Sequence, residues 1–212
     1  MGKFESKITG ILEEILASKL QAQKKFDWLT NSHLKVKNSD DYRLLENIFI
    51  TLNGDYEGLT KKRTQRLKND AYYEKERLLI VIDEIQHFTI YRQKSLEVIR
   101  NYNIEPGYSI EDYTNICNKY YTSAIRKGPK GYRYPRKDFP FENGRACQRA
   151  YLDSLRDVLS IRHLKKTVLR ISEVEISQYS SDEKIKEYLK KKLESICSFM
   201  FVIIELFSPL LG

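Results

Sequence analysis

A continuous apolar run, Leu78-Leu79-Ile80-Val81-Ile82, leads directly into two acidic residues, Asp83 and Glu84. Leucine and β-branched residues without a polar interruption predict a strand that is covered on both faces. Carboxylates at the end of such a strand lie next to the core, where a charge is costly unless it is paired or binds a cation. The segment therefore predicts an α/β fold with a candidate functional site at the end of a central strand.

Segments on both sides of this run have helical or strand-like patterns. Apolar residues at helical spacing predict helices over residues 4–25, 39–53, 109–127, 145–160 and from 180 onward. Two further strands are predicted at residues 70–73, followed by a turn at 74–76, and at residues 167–171. The mixture of helices and strands predicts a central sheet flanked by helices.

The length of 212 residues fits one domain with helical additions. We predict a helical N-terminal segment at residues 1–60 and an α/β core at 61–178, with an inserted helical and basic-loop region at about 92–144. A C-terminal helix at 179–212 is expected to pack on the core or on a partner. Residues 196–211 are strongly apolar but are interrupted by Glu205 and Pro209, so a buried helix or a dimer contact is favoured over a membrane span.

The composition excludes several classes of protein and favours a polyanionic partner. Lys and Arg number 37 against 29 Asp and Glu, a net charge of +8, and 41% of residues are hydrophobic. These values exclude a disordered polymer, a collagen-like chain and a multispan membrane protein. Basic charge together with 15 tyrosines suits binding to nucleic acid, since cations neutralise phosphates and rings stack on bases. A lysine-rich soluble surface with no such role explains the same composition.

Cysteine usage and the N-terminal sequence bear on the compartment. The three cysteines, Cys117, Cys147 and Cys197, are far apart and have no CxxC spacing, which argues against a disulfide framework or a zinc site. Lys3 and Glu5 interrupt any apolar signal region at the N-terminus. We therefore expect a cytoplasmic protein that has no membrane partner and no small-molecule cofactor.

Carboxylates on neighbouring strands provide ligands for a metal ion. Asp70 precedes the strand at 70–73, and Glu84 follows the apolar run. Because side chains alternate along a strand, Glu84 and Gln86 are expected on one face, and Asp83 and His87 on the other. Two convergent carboxylates suit Mg²⁺, with Mn²⁺ as a substitute, and such a cation polarises a phosphoryl oxygen and activates water. His87 is a candidate for positioning water or phosphate, the alternative being a capped structural histidine.

The residues Asp70…Glu84-Ile85-Gln86 resemble the PD-(D/E)XK motif of the restriction-endonuclease-like superfamily. In that motif an acidic residue is followed, after a gap, by a second acidic residue, any residue and a lysine. Asn69 stands in place of the usual Pro, and Gln86 in place of the usual Lys. The resemblance implies that Asp70 and Glu84 hold Mg²⁺ and that Gln86 and His87 orient water or phosphate. It also implies a restriction-endonuclease-like core, which is a central mixed β-sheet flanked by helices.

Three short segments occur in the order found in the very-short-patch-repair-type endonuclease branch. They are residues 82–88, in which acids precede His-Phe, residues 149–157, which end in Arg-Asp, and residues 168–171, Val-Leu-Arg-Ile. Val81 stands where that branch usually has Glu, and a long insertion separates the first two segments. This alignment selects Asp83 as the metal ligand in place of Glu84. Glu84 is favoured because it shares a predicted face with Gln86, and Asp83 remains the alternative.

Basic residues provide candidate phosphate contacts. Arg149, Asp153 and Arg156 form one stripe of the helix at 145–160, and the resemblance implies that this stripe borders the site and holds the scissile phosphate. A solvated ladder of ion pairs is the equal alternative. Arg170, on a predicted strand, needs a partner if it is buried, and a structural ion pair explains it as well as a phosphate contact does.

The segment 126–137 carries six basic residues and two tyrosines and has no acidic residue. It is the best candidate in the sequence for contact with the DNA backbone, the alternative being a solvated loop. A second basic strip at residues 61–68 is a weaker candidate. The residues predicted to bind nucleic acid are Lys127, Lys130, Tyr132, Arg133, Tyr134, Arg136, Lys137, Arg149 and Arg156.

Together these features predict a Mg²⁺-dependent endonuclease that hydrolyses phosphodiester bonds in DNA, such as a type II restriction enzyme or a phage-defence or repair nuclease. One alternative is a non-catalytic nucleic-acid-binding protein on a decayed nuclease fold, which the departures at Gln86 and Val81 motivate. Another is an interaction or scaffold protein that uses the apolar C-terminus. A homodimer is expected by analogy with restriction-type enzymes, whose two subunits often cut the two strands.

Overall fold

Four strands form one mixed sheet at the centre of the structure. The computed structural model describes residues 2–127 and 132–207. The strands lie in the order β1 (Gln21–Ala22), β2 (Ala71–Tyr73), β3 (Leu78–Asp83) and β4 (Leu169–Ser172). β1, β2 and β3 pair antiparallel, whereas β4 pairs parallel to β3. The predicted class, an α/β fold with a central mixed sheet flanked by helices, is confirmed.

Eight helices are present in the described part of the chain, and they include those expected to begin near residues 39, 109, 145 and 180. They are α1 (Lys3–Leu16), α2 (Ser39–Thr51), α3 (Tyr56–Thr60), α4 (Ile90–Asn101), α5 (Ile110–Lys127), α6 (Gly144–Leu164), α7 (Glu173–Ile176) and α8 (Asp182–Phe207). The first helix ends earlier than residue 25 because Ala17 adopts a left-handed conformation, with φ of 45°, and caps the carbonyls of Glu13 and Glu14.

The apolar run of β3 is buried on both faces, as its sequence predicts. Leu79 and Val81 belong to a core that also contains apolar side chains of α2, α4, α5 and α6. Ile80 and Ile82 belong to a second core, on the other face of the sheet, with side chains of α1 and α8. Burial of each such side chain contributes roughly 1.5–3 kcal/mol, so the strand end is held rigidly between two layers of helices.

The predicted hairpin of β2 and β3 is confirmed. Tyr73 pairs with Leu78 and Ala71 with Ile80 across the turn at residues 74–77. Arg77 completes the turn with a φ of 52°, in the left-handed region. This register sets the residue before β2 beside the last residues of β3.

The structure corrects the predicted course of the chain after Asp83. The alternation expected through residue 88 assumed extended backbone, but β3 ends at Asp83 and Ile85–His87 form a short 3₁₀-helix with Glu84 at its N-cap. The prediction that Glu84 and Gln86 lie on one face of a strand is therefore wrong. The two side chains still meet, because Gln86 Nε2 donates to Glu84 Oε2 within the turn.

The terminal segments take part in the sheet assembly. Residues 1–60, predicted to be helical, also supply the edge strand β1, which pairs with β2. α1 packs against α8, and α8 also contacts β4. Side chains beyond residue 196 lie outside the described residues, so the predicted buried or dimeric use of the apolar C-terminus stays a prediction. Among the described residues, no helix combines the length and apolarity that a bilayer crossing requires.

Candidate active site

A buried cluster of charged side chains lies beneath the end of β3. His87 Nδ1 is 3.0 Å from Asp83 Oδ1 and 3.0 Å from Asp153 Oδ2. The three residues come from the 3₁₀-helix, β3 and α6, and their side chains are almost completely inaccessible to solvent. The stripe of α6 that carries Asp153 therefore faces the sheet edge, which contradicts the alternative of a solvated ion-pair ladder.

Arg170 of β4 neutralises two of the buried carboxylates. Its Nη1 lies 2.8 Å from Asp83 Oδ1, and its Nε lies 2.9 Å from Asp157 Oδ1. Tyr113 also donates to Asp83 Oδ2, at 2.9 Å. Burial alone would raise the pKa of Asp83, but Arg170 and His87 hold this pKa well below its usual range. Arg170 thus makes the structural ion pair that its strand position requires.

His87 links this buried cluster to the guanidinium of Arg149. Nε2 of His87 lies 2.8 Å from Nη1 of Arg149. Burial and Arg149 act to lower the pKa of His87, but Asp153 and Asp83 raise it above its ordinary value. A neutral ring with its proton on Nδ1 accepts from Arg149 at Nε2, whereas a protonated ring repels the guanidinium. The position of Arg149 is therefore coupled to the charge of His87.

A second group of carboxylates lies near the same strand end. Asp70 Oδ2 accepts a hydrogen bond of 2.8 Å from the backbone N–H of Ile82, which fixes Asp70 beside β3. Glu84 follows β3 and is half-buried. A Cβ built on Gly2 would lie 3.1 Å from Glu84 Oε1, so the start of α1 closes over this carboxylate. Glu5, in the first turn of α1, completes the group.

Electrostatic effects link Glu5 to the two other carboxylates. Burial raises the pKa of Glu5, and the charges of Asp70 and Glu84 raise it further, although the Gly2 N–H bond lowers it. Burial likewise raises the pKa of Asp70, despite the hydrogen bond from Ile82 and the charge of Arg156. Acids with raised pKa values that share one location are stabilised by a bound cation.

The end of β4 contributes a fourth carboxylate near the same place. Because β3 and β4 are parallel, their carboxyl ends meet at one edge of the sheet, and Asp83 is paired with Ser172. Glu173, which begins α7, accepts from the backbone N–H of Ile85 at 2.9 Å through Oε2. This bond holds the 3₁₀-helix against the start of α7.

The two acidic groups differ in their suitability for a metal ion. Ligand atoms of Asp83, His87 and Asp153 lie within 4.8 Å of one another, a spacing that a cation accepts. A cation there would compete with guanidinium groups that already bind these carboxylates. The donors to Glu5 and Asp70 are neutral backbone N–H groups, and the donor to Glu84 is the amide of Gln86. Of the described residues, only the first group has this spacing, so ligand chemistry alone, and not spacing, favours Glu5, Asp70 and Glu84 for Mg²⁺ or Mn²⁺.

Arg156 connects the site to the segment before β2. Its Nη1 lies 3.2 Å from Asp153 Oδ1, and its Nε donates to Asn69 Oδ1 at 3.2 Å. Its Nη2 donates to the carbonyl of Lys68 at 2.9 Å. The predicted stripe of α6 thus places Arg149 and Arg156 along the edge of the sheet that carries the carboxylates.

The two basic segments predicted to contact DNA come together at Asp138. This residue is fully buried, and its carboxylate is 2.6 Å from Lys62 Nζ and 2.6 Å from Gln148 Nε2. The backbone N–H of Asp55 donates to the carbonyl of Asp138 at 2.9 Å. Segment 61–68, the loop at 132–138 and α6 therefore form one continuous basic rim.

Within this rim the predicted residues have different environments. Tyr134 is 56% exposed, and Arg133, Arg136 and Lys137 are also exposed. Tyr132 is buried, and its ring lies 5.7 Å from the guanidinium carbon of Arg149, so it supports that arginine and has no ring face free for a base. Two further predicted residues fall outside the described part of the chain, Lys130 entirely and Lys127 in its side chain.

Sequence reasoning missed Glu5 and Glu173. Glu5 lies far from the motif in sequence, and only the packing of α1 on the sheet brings it to Asp70 and Glu84. An acidic residue in the first turn of a helix is ordinarily explained by the helix dipole, so its sequence position carries no distinct signal. Glu173 directly follows β4, the second strand of the parallel pair, and a sequence position at the end of that strand was the signal that could have identified it.

Comparisons with protein-family models, with curated proteins and with solved structures gave no match. The function of this chain is therefore inferred from the geometry of its own residues. That geometry comprises a set of carboxylates at the end of β3, two adjoining arginines and a basic rim.

Proposed function

We propose that the chain is a Mg²⁺-dependent endonuclease that hydrolyses phosphodiester bonds in DNA. The observation that carries the proposal is the set of carboxylates at the end of β3, where Asp70 is bonded to the backbone of Ile82, Glu84 follows the strand, and Glu5 is near enough for both charges to raise its pKa. Arg149 and Arg156 line the same edge. Carboxylates beside arginines match what phosphodiester hydrolysis needs, which is a metal site next to a phosphate site.

Asp70 and Glu84 would hold the cation, with Glu5 as a third oxygen ligand. Mg²⁺ binds through one or two carboxylates and keeps several waters, so the remaining positions suit water and a phosphate oxygen. When bound, the cation polarises the phosphoryl group and lowers the pKa of a water molecule. Gln86 donates to Glu84 and thereby fixes the orientation of that carboxylate.

Arg149 and Arg156 would stabilise negative charge on the phosphate. A guanidinium offers paired donors to phosphate oxygens, and its partial burial strengthens the interaction. Tyr132 packs on Arg149 and His87 Nε2 lies beside it, so the guanidinium is oriented before substrate binds. Arg156 is fixed by the carbonyl of Lys68 and by Asn69.

The topology supports the proposal through the placement of the motif. Along the chain, α1 and β1 are followed by α2 and α3, by the hairpin of β2 and β3, by α4, α5 and α6, and then by the parallel strand β4. This arrangement is compatible with the central mixed sheet that the resemblance to restriction-endonuclease-like proteins implies. Asp70 directly precedes β2 and Glu84 directly follows β3, so both residues border the same antiparallel pair of strands.

The experiment that tests the proposal compares wild type with Glu84→Gln on plasmid and single-stranded DNA, in Mg²⁺, in Mn²⁺ and in EDTA. The substitution removes a charge at nearly constant volume, and Glu57→Gln, at an exposed residue of α3, is the matched control. We expect metal-dependent cutting by wild type and by the control, and at least a 100-fold loss in Glu84→Gln. Absence of cutting under every condition, or full activity of Glu84→Gln, would contradict the proposal.

Gln86 favours a second candidate, a nucleic-acid-binding protein without catalysis. The amide stands where the resembled motif has a lysine, so an ammonium group is missing from that position. Salt-sensitive retention of DNA without cutting in Mg²⁺ or Mn²⁺ would select this candidate. A protein that neither binds nor cuts DNA would instead select the interaction or scaffold role.

A further inference from the structure

Three aromatic side chains form a stack at the surface, apart from the proposed catalytic residues. The rings of Trp28 and His163 are stacked with centroids 4.6 Å apart and planes 9° from parallel. Phe26 stacks on Trp28 as well, with centroids 4.8 Å apart and planes at 24°. His163 is exposed, and Phe26 and Trp28 are half-buried, so the stack lies open to solvent at its histidine end.

The stack lies in line with the proposed phosphate contacts. Arg149, Arg156 and His163 are spaced seven residues apart on α6, so they occupy one stripe of the helix. With a rise of about 1.5 Å per residue, His163 lies about 10 Å beyond Arg156 along the helix axis. The stripe therefore leads from the candidate active site directly to the aromatic stack.

A continuous series of contacts, which includes the buried residues Asn69 and Tyr72, joins the two places. Arg156 Nε donates to Asn69 Oδ1, and Asn69 Nδ2 donates to the carbonyl of Lys24 at 3.0 Å. Lys24 Nζ lies 5.6 Å above the ring of Tyr72, whose edge packs on Phe26 with centroids 5.1 Å apart. The aromatic stack is thus a continuation of the proposed nucleic-acid interface.

Several cations lie near the stack, and one of them, Arg66, is paired with Asp27 at 2.7 Å. Arg77 Nη2 donates to the carbonyl of His163 at 3.1 Å, and the Leu67 N–H donates to Leu29, which holds segment 66–68 beside Trp28. The exposed cations of this region are Lys25, Arg66, Lys68 and Arg77. Aromatic rings among cations are the arrangement with which proteins bind bases and backbone of single strands.

We propose that the stack of Phe26, Trp28 and His163 is a nucleobase-binding site, about 10 Å along α6 from Arg156, so that the substrate carries an unpaired base near the bond being cut. This inference rests on the proposed nuclease function. The face of a paired base is covered by its neighbours in the duplex, whereas an unpaired base can lie on the outer face of His163. The site therefore selects nucleic acid with a single-stranded stretch beside the cleaved bond.

Trp28 provides the probe, because it is the only tryptophan in the chain. An oligothymidine of about 12 nucleotides and a duplex of equal length are titrated in EDTA, which prevents cutting, and the emission of Trp28 is followed. We expect a saturable change with the single strand only. His163→Ala should weaken binding roughly 5- to 150-fold, the effect of losing one base-stacking ring, and His163→Phe should restore it. Tyr102→Ala, at an exposed tyrosine after α4, is the matched control.

The outcomes separate this inference from the proposed function. Equal affinity of wild type and His163→Ala for the oligonucleotide, in a protein that cuts DNA, would overturn the base-binding site alone. A Trp28 response that depends on His163, in a protein that never cuts, would overturn the nuclease and leave the base-binding site standing. Equal Trp28 responses to duplex and single strand would also overturn the requirement for an unpaired base. Thermal melts of each variant, followed by circular dichroism, verify that all of them are folded.

Discussion

Arg170→Met tests whether the buried charges under the site stabilise the fold as a unit. Arg170 donates to both oxygens of Asp83 at 2.8 and 2.9 Å, to Asp157 at 2.9 Å, and to the carbonyl of Asp153 at 3.2 Å. Methionine has a similar length and no charge. The substitution therefore leaves two fully buried carboxylates without their shared cation.

The expected cost follows from what remains around each carboxylate. Asp83 keeps Tyr113 and His87, and Asp157 keeps Arg92 and Tyr108. Removing one partner of a buried ion pair costs about 3–5 kcal/mol. For a protein of this size the corresponding fall in melting temperature is about 6–20 °C, at about 2–4 °C for each kcal/mol.

Urea unfolding followed by Trp28 emission measures the loss of free energy directly. The midpoint should fall with little change in the denaturant slope, because the surface exposed on unfolding is nearly the same. Arg133→Met, at an exposed arginine of the basic rim, should change stability by no more than about 0.5 kcal/mol. A loss below about 1 kcal/mol in Arg170→Met would refute the reasoning, since that is the value of an exposed pair.

Three further results are expected. Burial lowers the pKa of His33 to about 4, against the charge of Glu46, so the folded state keeps this ring neutral. The free energy of unfolding should therefore fall as the pH drops from 6.5 to about 4, because the unfolded chain takes up the proton first. A nuclear magnetic resonance titration of His33 with a midpoint near 6.5 would contradict this. In Gly58→Ala the new Cβ would overlap the carbonyl oxygen of Lys137, so the free energy of unfolding in urea should fall by about 1–3 kcal/mol. An unchanged urea midpoint would show that the two backbone segments are not this close. Arg149→Lys keeps the charge but loses the planar fork, so cleavage turnover should fall about 100-fold with little change in DNA affinity, whereas a purely structural arginine would leave turnover intact.

The central strand and the class of fold could be predicted because a single local signal determines them. The run from Leu78 to Ile82 has no polar residue, and a β-branched-rich run of this length that ends in charged residues is typical of a strand buried on both faces. The helices that begin at Ser39 and Ile110 were predictable from their capping and acidic first-turn residues. These signals act within a few residues of the element that they define.

The details of the site depended on tertiary packing, which no local pattern encodes. The 3₁₀-helix after Asp83 replaced the predicted strand because Glu173 and its neighbours hold the backbone of Ile85 there. Glu5 joined the acidic group only because α1 packs over β3. The helical spacing predicts Asp153 as part of a stripe on α6. Its burial against His87, however, depends on where α6 packs relative to the sheet, which the spacing does not predict.

The most direct test of the central claim is Mn²⁺ binding, measured by electron paramagnetic resonance, in wild type and in Glu84→Gln. The claim is that Glu5, Asp70 and Glu84 hold a divalent cation at the end of β3. We expect saturable loss of the free-ion signal with wild type and at least a tenfold weaker affinity in Glu84→Gln, since a carboxylate ligand has been lost. Equal affinity in both proteins, or no binding by wild type, would contradict the account.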